Sequence, residues 1–237
     1  MSTVSPTALS KHRMKRFHIS WGDLFALATF TLLAISLGMG LLYAPTELIQ
    51  GEPQRIFYVH LPMAIASYIA FLLVAGCGAI YLWKRNPAYD VVARSAAELG
   101  FFFLTLVIIS GGLWGQATWG TFWQWEPRLT FTFVLWLIFV AYIMLRHASQ
   151  DRHQAARFGA ILGIIGFADV PLIFASVYIW RGIHPEPATM PQEMFITFLL
   201  ATLAFISLFA YLLVLRVRWD KTRERIDELR TILEEQT

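Results

Sequence analysis

Cysteine is almost missing from this 237-residue chain, Cys77 being the only one. A lone thiol forms no internal disulfide, and it excludes a cysteine-based zinc site, a thioredoxin-like pair and a Cys-x-x-Cys-His attachment site. Cys77 lies in an apolar run and reads as a small packing residue. Charge is scarce as well. Asp, Glu, Lys and Arg make up 15% of the chain, against about 25% in soluble domains. No internal repeat, glycine-rich phosphate loop or Walker pattern occurs, which argues against ATP hydrolysis. What fills the space is apolar: 57% of residues are hydrophobic, and the mean hydropathy is +0.56. The composition is that of a membrane protein.

About 20 apolar helical residues cross a hydrocarbon core. Segments 23–44, 60–83, 96–115, 128–146, 157–180 and 193–216 are each long enough. Their runs are continuous and do not alternate with period two, so they predict helices rather than a barrel. The expected fold is all-α, a polytopic membrane protein with six transmembrane helices. Residues 1–22 form a basic tail, 23–217 the transmembrane domain and 218–237 an amphipathic tail.

Orientation follows from the basic residues, which concentrate on the cytoplasmic side. Lys11, Arg13, Lys15 and Arg16 precede the first span. Lys84, Arg85 and Arg94 flank the second loop, and Arg146, Arg152 and Arg157 the fourth. Arg216, Arg218, Lys221, Arg223, Arg225 and Arg230 follow the sixth span. The other face retains Arg55, Arg128 and Arg181. Both tails are therefore expected in the cytoplasm, and the pI near 9.1 is a topology signal that calls for no nucleic-acid partner. The first apolar run is long enough to stay as a span, so no cleavable signal peptide is expected. In the tail, Ile226, Leu229, Ile232 and Leu233 share one helical face; a solvated cap is the favoured reading, with a docking helix for a partner as the alternative.

Between the third and fourth spans stands WGQATWGTFWQWEPR, residues 114–128, with Trp114, Trp119, Trp123 and Trp125 followed by Glu126 and Arg128. An aromatic belt accounts for Trp21, Trp83, Trp180 and Trp219, each at a span end. It accounts poorly for four indoles in one connector. If that connector is helical, Trp119 and Trp123 share a face; if it is extended, Trp123 and Trp125 do. Either arrangement makes an apolar shelf, and such a surface marks a binding site.

The histidines divide by face. His12, His18, His147 and His153 fall among basic residues on the cytoplasmic side, whereas His60 and His184 fall on the side of the tryptophans. Arg55, Arg128 and Arg181 each stand within a few residues of His60, Glu126 or His184. A lone arginine at a span end is an ordinary snorkelling anchor, but a guanidinium also pairs well with carboxylates. A flat apolar ligand carrying carboxylates and a metal would need a shelf, arginines and two imidazoles. Haem has those attributes, and imidazole is a common axial ligand of its iron.

The stretch W-G-x-x-x-W-G-x-x-W-x-W-E-P-R-L resembles the tryptophan-rich "WWD" segment of haem-handling proteins. With six spans and His60 and His184 on either side of that segment, nearly the whole chain resembles the cytochrome c maturation protein C, or haem exporter protein C, family. The resemblance implies a multi-pass protein of the bacterial inner membrane, or an organellar counterpart. Its tryptophan-rich loop would be periplasmic, binding haem b non-covalently with the iron between His60 and His184. It implies transfer to a membrane-anchored periplasmic haem chaperone, beside ATP-binding-cassette transporter subunits and a small single-span subunit. Trp114, Trp119, Trp123, Trp125, Glu126, Arg55, Arg128 and Arg181 complete the expected site, with lipids around the spans. Binding and transfer are expected, with an enzymatic role left open. The family's pattern usually has aspartate where this chain has Glu126. That carboxylate either caps the fourth helix or orients an indole, an arginine or the chaperone's histidine.

Two readings of other classes compete. An electron-transfer cytochrome b-type subunit would bury its histidines within facing spans, whereas His60 and His184 lie at span ends. A transporter assembly subunit would use the tryptophans for partner contacts alone. Asp169, midway along the fifth span and two residues before Pro171, is an ionisable group at a costly depth. A proton- or haem-moving role competes there with simple pairing to nearby polar groups.

Overall fold

Long apolar runs without water must satisfy every backbone group internally, and helices do so. In the computed structural model, which describes residues 20–180, 182, 184 and 190–234, six helices are long and apolar enough to cross a membrane. They are α1 (Trp21–Gly38), α2 (Phe57–Lys84), α3 (Pro87–Trp119), α4 (Pro127–Ala148), α5 (Arg152–Ile179) and α6 (Gln192–Glu234). A π-helical turn (Met39–Tyr43) extends α1, and a 3-10 turn (Glu52–Ile56) leads into α2. Among the described residues every long element is a helix, as the sequence predicts.

Local signals set the helix ends. Ser20 and Asp23 form a capping box at the start of α1, satisfying two backbone donors reciprocally. Asn86, Glu126 and Asp151 cap α3, α4 and α5 through their side chains. Gly120, with φ of 74°, ends α3 in the left-handed region, where a glycine pays no Cβ penalty.

The second helix lies at the centre, against α3, α5 and α6. Small residues let it come close: a Cβ on Gly78 would sit 3.1 Å from the Ala160 Cα, and one on Gly100 2.9 Å from the Ala70 Cβ. Without a hydrophobic drive between helices in lipid, such close packing is what holds spans together. Phe71 of α2 stacks on Phe139 of α4 at 3.9 Å between centroids. Helix α1 leans chiefly on α6 and leaves Leu27 and Phe30 exposed, as its π-helical turn leaves Leu42, which suits a lipid-facing element.

Two boundaries differ from the sequence expectation. Helix α3 continues through Trp119, so residues 114–119 belong to a helix and the connector proper is residues 120–126. Helix α6 runs unbroken to Glu234, so the amphipathic tail prolongs the sixth span. Charge in the last turns does not stop a helix whose residues are good helix formers.

Ionic contacts gather at the end of the bundle opposite the tryptophans. Arg146 of α4 grips Asp90 of α3 with two bonds of 2.7 Å. Arg216 of α6 contacts Glu98 and Asp220, each at 2.6 Å. Arg94 lies 3.4 Å from Asp220. Several of the basic residues that predict a cytoplasmic end therefore also clamp α3 to α4 and α6.

Candidate functional site

The start of α2, the end of α3 and the start of α4 meet at one rim of the bundle, and His60, the tryptophans and His184 all lie there. His60 is in the first turn of α2, and its imidazole rests on α3. A Cβ on Gly111 would sit 2.9 Å from the His60 Cε1; glycine at that position is what admits the ring. Trp114 meets the same imidazole edge-on, with centroids 5.8 Å apart. The His60 Nδ1 lies 2.9 Å from the Ser110 Oγ.

The connector folds back on α3. A Cβ on Gly115 would sit 3.1 Å from the Thr121 carbonyl oxygen, and one on Gly112 would enter the Phe122 ring. The Thr121 hydroxyl donates to the Trp123 carbonyl at 3.0 Å, tightening the bend. Trp123 and Trp125 then pack edge-on at 5.6 Å, both against Phe133 of α4. Of the two geometries open in the sequence, the extended one pairs the indoles. Trp125 is largely exposed and Trp119 partly so. The Trp123 indole N–H is buried and has no acceptor among the described residues.

Trp114 stands apart from that pair. Its Nε1 donates to the Gln50 Oε1 at 2.9 Å, and its ring contacts Phe57. Gln50 belongs to a tight loop in which Glu47 and Gly51 form a bridge and the Glu47 carboxylate accepts the Ile49 and Gln50 N–H groups. This hold on Trp114 had no sequence signal beyond a polar residue in a loop.

His184 faces the other side of the rim. It meets Trp119 edge-on at 5.2 Å, and its Nδ1 lies 2.7 Å from the Glu126 Oε1. The same carboxylate oxygen accepts the Leu129 N–H at 3.2 Å, and Pro127 occupies the first turn of α4. Glu126 thus caps α4 and also stands at ion-pair distance from His184, whose Nδ1 is not aligned for a hydrogen bond with any described residue. A contact with an imidazole within this chain was not among the roles the sequence suggested. Only 9% of the Glu126 side chain is exposed. Burial pushes its carboxyl up, but the neighbouring His184, the Leu129 N–H and Arg128 act against that and hold it below the usual carboxylate value. Gly182 lies directly over the other carboxylate oxygen, where a Cβ would collide.

Among the arginines, Arg128 is near enough to His60 for their charges to interact, and so is His184. Arg55 is engaged elsewhere. It donates to the Gly40 and Ala44 carbonyls at 2.7 and 3.1 Å, to Glu52 at 2.6 Å and to Thr46 at 3.2 Å, which closes the end of α1 onto the first loop. Arg181 lies outside the described residues. Asp169 is buried within α5, and its Oδ2 has no partner among the described residues.

The class this defines is a polytopic α-helical membrane protein whose one rim combines indoles with two imidazoles. A family model described as Heme exporter protein C matches residues 6–232, and the chain belongs to that family. It is 34% identical over 213 residues to a Heme exporter protein C of Bradyrhizobium diazoefficiens, covering 86% of this chain and 80% of that one. The corresponding protein of Escherichia coli K12 is 35% identical over 172 residues, covering 71% and 69%. That of Haemophilus influenzae is 31% identical over 209 residues, covering 85% of each.

Proposed function

We propose that this chain binds haem at the aromatic rim and presents it to a periplasmic chaperone during cytochrome c maturation. Family membership supports the coarser statement, haem handling for cytochrome c biogenesis in a membrane complex with further subunits. One observation carries the finer one. Two imidazoles far apart in sequence come to the same rim, each with an oxygen beside its Nδ1: the Ser110 Oγ at 2.9 Å for His60 and the Glu126 Oε1 at 2.7 Å for His184. An oxygen beside one ring nitrogen is the usual support for a histidine that binds a metal through the other, which here is Nε2.

The remaining residues suit the same cargo. Trp119, Trp123 and Trp125 offer flat apolar surface, on which burial contributes about 25 cal/mol per Å². The unpartnered Trp123 N–H and the Arg128 guanidinium are donors of the kind a propionate accepts. Arg55 acts from behind, holding the first loop, whose Gln50 holds Trp114. Trp125, largely exposed at the rim, offers a face on which a chaperone meets a haem edge while both imidazoles hold the iron. The basic residues at the opposite end support a periplasmic rim in a bacterial inner membrane.

Absorption spectroscopy of the purified protein tests the reading. Wild-type protein should carry low-spin haem with two nitrogen ligands. His60→Ala and His184→Ala should each convert it to a high-spin or weakly bound form. Unchanged spectra in both variants would overturn the assignment.

A further inference from the structure

The support of His60 identifies a residue with no assigned role. The Ser110 hydroxyl has one hydrogen, and it is directed to the Val107 carbonyl at 3.2 Å in the preceding turn of α3. A hydroxyl that has given its hydrogen away can still accept. With its hydrogen on Val107, the hydroxyl accepts from the imidazole nitrogen 2.9 Å away, which then carries the hydrogen of that bond. That contact favours the tautomer with hydrogen on Nδ1.

We propose that Ser110 is a positioning residue that fixes the tautomer and plane of His60, so that the Nε2 lone pair faces the haem iron. This rests on the haem-ligation reading above. Ser110 stands beside the His60 Nδ1 as Glu126 stands beside that of His184, with one chemical difference: a neutral hydroxyl polarises an imidazole less than a carboxylate. The two ligands are thereby inequivalent. The His60 ring is also confined sterically, between the Gly111 backbone and Trp114, so the hydroxyl sets its hydrogen where packing already sets its place. The opposite tautomer would need Ser110 to release Val107 and donate to the ring, which would leave Nε2 protonated and unable to bind metal.

The experiment compares Ser110→Ala, Ser110→Val and Ser110→Thr in the full-length protein, alone and with His60→Ala. Haem retention against a competing apo-haem-binding protein and the low-spin electron paramagnetic resonance signal are read, with thermal melting as the check on folding. Thr keeps the hydroxyl and Val removes it at equal volume. Ala and Val should therefore weaken retention by about 10- to 100-fold, the usual effect of losing a metal ligand's support, and shift the low-spin signal, while Thr matches wild type. In the His60→Ala background, Ser110→Ala should add nothing. If His60→Ala removes the low-spin signal but Ala and Val at 110 keep wild-type retention and signal, the role of Ser110 is overturned and His60 ligation stands. If Thr and Val weaken binding equally, packing rather than the hydroxyl is responsible, and the proposal is likewise overturned. If His60→Ala itself leaves the signal intact, the ligation reading beneath it fails.

Discussion

Gly111→Ala is the smallest change that should disable the rim while leaving the bundle intact. The added Cβ would lie 2.9 Å from the His60 Cε1 and 3.5 Å from its Nδ1, whereas carbon atoms in contact prefer about 3.5–4.0 Å. The ring must retreat by roughly 0.6–1 Å, and metal–ligand distances tolerate only about 0.2 Å. Haem retention should therefore fall by about 10- to 100-fold, as when an imidazole ligand loses its support. Stability should move little. Overpacking costs about 1–3 kcal/mol, and replacing a helical glycine by alanine returns about 1 kcal/mol. Gly76→Ala serves as the control, because nothing lies within 4 Å of its added Cβ; it should bind haem normally and melt no lower than wild type. The assay is a haem titration followed at the Soret band, with thermal melting in the same detergent. Wild-type affinity and a low-spin spectrum in Gly111→Ala would refute the placement of the His60 ring against α3.

Two further outcomes follow from charges at the two ends of the bundle. Glu126 has its folded carboxyl held below the ordinary value of 4.5. Its contribution is thus fully present above that value and lost as pH falls through the lower folded one. Melting temperature should drop on acidification from about pH 5.5 to 3.5, and Glu126→Gln should drop less; equal drops would refute the linkage. At the other end, Arg146→Leu strands Asp90, whose side chain is 15% exposed. Breaking such a pair costs about 3–5 kcal/mol, on the order of 10 °C in Tm, with an unchanged haem spectrum. The Asp90→Leu/Arg146→Leu double variant should recover much of that loss, and failure to recover it would mean the pair is not what the single change breaks.

Nearly all of the fold was legible in the sequence, because a span announces itself by length and apolarity alone. The exceptions were ends. Helix α3 runs past residue 115 through Trp119, since tryptophan, alanine and threonine do not break a helix and the stop signal is Gly120, five residues later. Helix α6 passes the membrane limit without pause, because hydropathy marks where lipid ends and not where hydrogen bonding ends. The clustering of His60, His184 and the indoles at one rim followed from topology: odd and even loops alternate between faces, and these residues fall in loops of one parity or at their edges.

What stayed hidden was the support of each imidazole, and the reason is physical. Ser110 is one hydroxyl in an apolar helix, where the default is a bond to a carbonyl in the preceding turn. It makes that bond to Val107, and the default is the very thing that turns its lone pair toward His60. Glu126 reads as a helix cap and is one; only the arrival of His184 from a distant connector gives the same oxygen a second partner. Gly111, Gly112 and Gly115 carry no local signal of a contact, yet His60, Phe122 and the connector backbone fill the space they leave. In each case a locally ordinary residue acquires its second contact from a chain segment remote in sequence. Local pattern therefore finds the groups that would touch a ligand, while their supports emerge only when the helices are set side by side.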